Sequence, residues 1–121
     1  MPKILIVEDE KNLAAAYQTI LEKHGYEVQV AYNGQDALVV AKAGMPDLIL
    51  LDMKMPKMGG LDFLRELDKA GIDPKERVIV FSNQDAESDI EEAFRLGAKR
   101  YLLKSWASPG DLVKVVKEAL K

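Results

Sequence analysis

The sequence predicts an α/β domain in which five parallel strands form a doubly wound (βα)₅ sheet, ordered 2-1-3-4-5, between two layers of helices. Three observations predict it: four short runs that are apolar almost throughout, segments of helical period between them, and glycines placed where four of those helices should stop. Runs rich in β-branched residues and without alternation suit strands covered on both faces, as in a parallel sheet. Right-handed crossovers then give the doubly wound order, with function collected at the carboxyl ends of the strands.

The elements follow in sequence. Ile4-Leu5-Ile6-Val7 is the first strand, and Leu13, Tyr17, Ile20 and Leu21 mark one face of the helix after it. Val28-Gln29-Val30-Ala31 alternates and is read as an edge strand, followed by a helix carrying Ala37, Leu38 and Ala41. Residues 48–51 form a fully apolar third strand, and Leu61, Leu64 and Leu67 carry the third helix. Residues 78–81 are the fourth strand, with Ile90, Ala93 and Phe94 in the next helix. A weaker run at 101–103 is the fifth, before a helix with Leu112, Val115, Val116 and Leu120. Gly25, Gly44, Gly71 and Gly97 are expected at C′ positions with positive φ. Ser108-Pro109-Gly110-Asp111 places a capping hydroxyl, a proline at the first helical position and a carboxylate at N3.

With 121 residues, one domain spanning 1–121 is expected. Hydrophobic residues make up 48% and charged residues 31%, dispersed and not in blocks, which argues against disorder. The absence of cysteine excludes disulfide and thiolate chemistry. Residues 4–7 are too short for a signal-peptide core, and no apolar stretch approaches the roughly 20 residues of a membrane span. The expectation is a cytosolic (cytoplasmic) protein with no membrane association. A net charge of −3 speaks against direct nucleic-acid binding.

The predicted strand ends carry the chemistry: Glu8 and Asp9 after the first, Asp52 after the third, Ser82 after the fourth and Lys104 after the fifth. Three carboxylates in one crevice repel unless a cation neutralises them, and all-oxygen ligands favour a hard ion such as Mg²⁺, for which Mn²⁺ could substitute. Alone, Glu8-Asp9-Glu10 would serve as a solvated, helix-capping start. Asp52 changes that weighing, because it ends an apolar strand with no helix directly after it. A carboxylate nucleophile beside a divalent cation can accept a phosphoryl group as an acyl phosphate. Lys104 offers the positive charge and Ser82 the hydroxyl such a transfer needs.

Val7-Glu8-Asp9-Glu10, the segment from Leu51-Asp52 through Met53-Lys54-Met55-Pro56 to Gly59-Gly60, Ser82-Asn83 and Leu103-Lys104 together resemble the bacterial response-regulator receiver domain. The resemblance covers essentially the whole chain, and it implies a flavodoxin-like fold and a two-component signalling switch that is not a conventional enzyme. It implies that Asp52 is the phosphoacceptor for a sensor histidine kinase or phosphotransfer protein. It further implies that Asp9, Asp52 and the backbone carbonyl of Lys54 ligate Mg²⁺, with Glu8 acting directly or through water. Ser82 and Tyr101 would form the switch, Lys54 and Gln84 would tune acyl-phosphate lifetime, and helix four, strand five and helix five would present the output surface to an unidentified partner or effector domain. A monomer or a weak, phosphorylation-driven dimer is expected.

Two positions depart from the family pattern. Glu8 stands where Asp is more frequent. Ser105 stands where a cis-proline usually follows the lysine, so a trans Lys104–Ser105 bond is expected, a non-proline cis bond costing roughly 2.5–4 kcal/mol. Competing readings are weaker. A flavodoxin-type electron carrier would need a flavin-phosphate loop after the first strand, and a haloacid-dehalogenase-type phosphatase an acid where Lys54 stands. A nucleotide-binding module would need GxGxxG or GxxxxGK[ST]. A pseudo-receiver, never phosphorylated, is the alternative that Ser105 keeps open. His24 is read as a surface residue, and Trp106 as core-edge cover or part of a partner surface.

Overall fold

The structure, a computed structural model, describes residues 1–55, 57–75, 77–82, 87–104 and 108–120, the side chains of residues 87, 88 and 109 excepted. The order is β1 (Lys3–Val7), α1 (Lys11–Lys23), β2 (Glu27–Ala31), α2 (Gly34–Ala43), β3 (Leu48–Leu51), α3 (Gly60–Lys69), β4 (Val78–Ser82), α4 (Glu87–Arg95), β5 (Ala98–Leu103) and α5 (Pro109–Ala119). All strand pairs are parallel, and the sheet order is β2-β1-β3-β4-β5, as the sequence predicts.

The apolar runs are the central strands because both faces of each are covered. Leu5, Val7, Ile49, Leu51, Val78 and Val80 pack with Phe63, Leu64 and Leu67 of α3 and with Ala37, Ala41 and Ala93. The alternate residues Ile4, Ile6, Leu48, Leu50, Ile79 and Phe81 pack with Ala14 and Leu21 of α1 and with Leu112 and Val116 of α5. Successive strand side chains point to opposite faces, so each run supplies two cores at once.

Two expectations are corrected. Gly25, Gly71 and Gly97 have φ of 90°, 73° and 111°, but Gly44 has φ 171°, extended backbone that any residue adopts. β5 begins at Ala98, three residues before the apolar run. Its first half, Ala98-Lys99-Arg100, lies on the sheet edge, where polar side chains reach solvent and no apolar pattern is required. The cap of α5 is as expected: Ser108 Oγ accepts from Asp111 N–H at 3.2 Å, and an Asp111 carboxylate oxygen accepts from Ser108 N–H at 3.0 Å. The expectations for Asn83, Gln84, Trp106 and the Lys104–Ser105 bond lie outside the described residues. Among the described residues, no helix is long and apolar enough to cross a membrane.

Phe63 is fully buried in the α3 face of the core. Phe63→Ala is expected to cost about 3–5 kcal/mol in urea unfolding, and Val39→Ala, on the exposed face of α2, less than about 0.5 kcal/mol. Similar losses for both would contradict this assignment of the core.

Candidate metal and phosphoacceptor site

Parallel pairing brings the carboxyl ends of β1 and β3 level, Val7 beside Leu51, so the next residue of each strand opens into the same crevice. The backbone fixes both. Glu8 N–H donates to Ala31 O and Asp52 N–H to Val7 O, each at 3.0 Å. Glu8, Asp9 and Asp52 each offer an oxygen to one spot, with the three atoms within 4.8 Å of one another.

Glu8 is 2% exposed and Asp52 6%, so neither carboxylate rests on bulk water. Glu8 uses both oxygens: Oε2 accepts from Glu10 N–H at 3.1 Å, and Oε1 holds the Lys104 ammonium. Glu10 occupies the N-cap position of α1 without a side-chain capping bond, so the acidic triplet does not serve as a conventional helix cap. Lys104 Nζ also stands 3.5 Å from Asp52 Oδ1, its side chain only 8% exposed. The sequence placed Lys104 beside Asp52. The structure makes Glu8 its closer partner.

Burial pushes the Asp52 carboxyl up to about 6; the Lys104 ammonium works against this, and the charges of Glu8 and Asp9 add to it. One lysine therefore does not neutralise the crevice. Beneath it, Tyr17 packs edge-on against Phe81, with ring centroids 5.4 Å apart, and its phenol is pushed upward by burial and by Glu8, Asp52 and Glu10. Tyr17 entered the sequence reading only as a helix-face residue, and helical period carries no signal of its nearness to the carboxylates.

The residues present fit Mg²⁺. Metal–oxygen distances near 2.0–2.1 Å separate opposite ligands by about 4 Å, within the spread of these three oxygens, and hard carboxylates with room for water are the donor set Mg²⁺ takes.

Ser82, at the end of β4, is buried, and Tyr101 of β5 lies on the same side of the sheet. Both line a cavity of about 290 Å³ that also touches Met53, Lys54, Leu61 and Arg65. At its rim Arg65 links α3 to α4, 2.5 Å from Glu92, and reaches Asp62 at 3.0 Å. Lys54 is exposed, and His24 is an exposed residue whose Nδ1 lies 2.9 Å from Ile20 O.

A family model described as the response regulator receiver domain matches residues 4–117. The chain is 35% identical over 114 residues to the transcriptional regulatory protein DltR of Streptococcus agalactiae, covering 93% of this chain and 50% of that one, so it spans half of that relative's length. It is 33% identical over 120 residues to the chemotaxis protein CheY of Thermotoga maritima, covering 98% of each. A solved structure of the Thermotoga maritima response regulator TrrA, in complex with Mg²⁺ and BeF, superposes with a TM-score of 0.83 at 32% identity, covering 99% of this chain and all of that one. The acidic crevice, the five-stranded order and these matches agree: the chain belongs to the receiver domain family of two-component response regulators.

Proposed function

We propose that residues 1–121 form a receiver that takes a phosphoryl group on Asp52 and thereby switches the surface of α4, β5 and α5. The observation carrying this reading is the convergence of Glu8, Asp9 and Asp52 on one spot with Lys104 Nζ among them. Glu8, Asp9, Asp52 and the Lys54 carbonyl would hold Mg²⁺, which when bound supplies charge neutralisation for both the carboxylates and the phosphoryl oxygens. Asp52 Oδ attacks phosphorus as the P–N bond of a phosphohistidine breaks and its electron pair returns to the imidazole. The donor is a sensor histidine kinase or a phosphotransfer protein.

The acquired charge, about −1.5 to −2 by analogy with other protein phosphates, draws on two donors. Lys104 exchanges Glu8 for the phosphoryl oxygens, and the Ser82 hydroxyl moves toward them. The cavity beside Ser82 has room for the Tyr101 ring to turn inward, biasing a two-state arrangement of α4 and β5. Lys54 and Gln84 set the lifetime of the acyl phosphate. The partner reading the switched surface is an output protein or an effector domain.

Asp52→Asn is expected to abolish labelling by a small phosphodonor such as acetyl phosphate, and wild-type labelling to disappear in EDTA. Labelling retained by the variant, at any site, would sink the assignment.

The electrostatics make a separate prediction. The folded-state value of Asp52 lies above its ordinary 3.8, so its contribution to stability is full below pH 3.8 and declines as pH rises to about 6. That rise is equivalent to roughly 3 kcal/mol at full value, reduced to about 1–2 kcal/mol by water at the crevice mouth. In EDTA, Asp52→Asn should therefore be more stable than wild type by that amount at pH 7.5 and equal to it near pH 3.5. Denaturant curves at the two pH values check this, and a variant less stable at pH 7.5 would contradict it.

Lys104→Met leaves Glu8 buried without its cation, at an expected cost of about 3–5 kcal/mol in EDTA. Saturating Mg²⁺ should raise the variant's Tm by more than the wild type's. Equal increments would show that Lys104 does not serve as the internal counter-ion.

A further inference from the structure

The loop between β3 and α3 is pinned by glycines at which no Cβ fits. Gly60 N–H donates to Met53 O at 3.0 Å, and a Cβ on Gly60 would lie 2.6 Å from Asp52 O. A Cβ on Gly59 would lie 2.8 Å from Met53 O. These two pins belong to the loop itself.

The third comes from a different element. Gly34, the first residue of α2, donates its N–H to Met58 O at 2.9 Å. A Cβ there would meet Met58 O at 2.6 Å, Cγ at 2.7 Å and Cβ at 2.9 Å, all closer than the 3.0 Å that real Cβ atoms respect. Gly34 is itself held by its neighbour: buried Asn33 caps α2, its Oδ1 accepting from Asp36 N–H at 2.9 Å and its amide donating to Asp36 Oδ2 at 3.1 Å. Between the pins, Lys57 has φ 67°, a left-handed conformation that costs a non-glycine residue about 1–2 kcal/mol. A loop carrying that strain relaxes when a pin is removed.

We infer that Gly34 is a positioning residue for the metal site: α2, seated on Met58, sets the path of residues 53–55 and 57–59 and with it the position of the Lys54 carbonyl. The inference rests on the reading that Asp52 and Lys54 hold Mg²⁺. A side chain at Gly34 pushes Met58 back by about 0.4 Å, the difference between 2.6 and 3.0 Å. Mg²⁺ tolerates little departure from octahedral geometry, and groups that orient metal ligands typically account for 10–100-fold in affinity. The turn after β2 thus belongs to the site although none of its side chains reaches the crevice.

Calorimetric titration of Mg²⁺ into wild type, Gly34→Ala and Val39→Ala, with urea stability measured in EDTA, tests this. Gly34→Ala should bind Mg²⁺ about tenfold more weakly. Val39→Ala, on the exposed face of the same helix, should match wild type. A Gly34→Ala protein of wild-type affinity overturns the inference, whatever its stability. A wild type that binds no Mg²⁺ overturns the reading of the site itself and the inference with it. Should Gly34→Ala fail to fold, ¹⁵N NMR of the wild type decides: the Gly34 amide should shift in step with metal saturation, and an amide unmoved at saturation refutes the coupling.

Discussion

Three carboxylates within reach of one another in one crevice, two of them buried, set the terms for the rest of the molecule. Like charges at such distances are tolerable only with cations among them, and Lys104 supplies one. Its ammonium is committed first to Glu8, which also accepts from the backbone of Glu10. At Asp52 burial, with the charges of Glu8 and Asp9 added, outweighs the same ammonium and keeps the carboxyl raised. A carboxylate in that condition responds to any added cation or anion. The same imbalance makes the site sensitive.

The fold holds this imbalance by making everything beneath it rigid. Strands with both faces packed cannot shift singly, because a register slip of one residue would turn every side chain to the opposite core. Glu8 and Asp52 prolong that register by one backbone hydrogen bond each, to Ala31 O and Val7 O. Level ends of parallel strands thus bring Glu8 and Asp52 to the same crevice without relying on loop conformation.

Most of this was legible in the sequence for a physical reason. Fully apolar four-residue runs have few alternatives to doubly covered strands, and acidic, hydroxyl and lysine residues directly after them are conspicuous because nothing in the packing calls for them. What escaped the sequence depends on distance in space. The pairing of Glu8 with Lys104 spans 96 positions. Tyr17 lies at an ordinary helix-face position, and only the fold reveals that its ring packs edge-on against Phe81 beneath the carboxylates. Gly34 carries no signal in the sequence, since its contact with Met58 joins the start of α2 to the loop before α3, two segments that share no pattern. Gly44 followed the helix-ending rule in position but not in conformation.

β5 shows how one residue can decide what a site can do. Val78 pairs with Ala98, but Ile79 pairs with Arg100, so Lys99 is an extra residue on the edge strand. Were Lys99 paired regularly with Ile79, Tyr101 would lie opposite Phe81 and face α1 and α5. With Lys99 bulged out of the pairing, Tyr101 lies opposite Val80, packs with the α3 side of the core and shares a cavity with Ser82. The same offset pairs Leu103 with Ser82, so Lys104 comes one residue beyond the strand end and its side chain reaches back to Glu8 and Asp52. An irregularity among exposed lysine and arginine residues thus puts the aromatic ring and the buried ammonium on their respective sides of Ser82, and a regular strand of the same composition would have exchanged them.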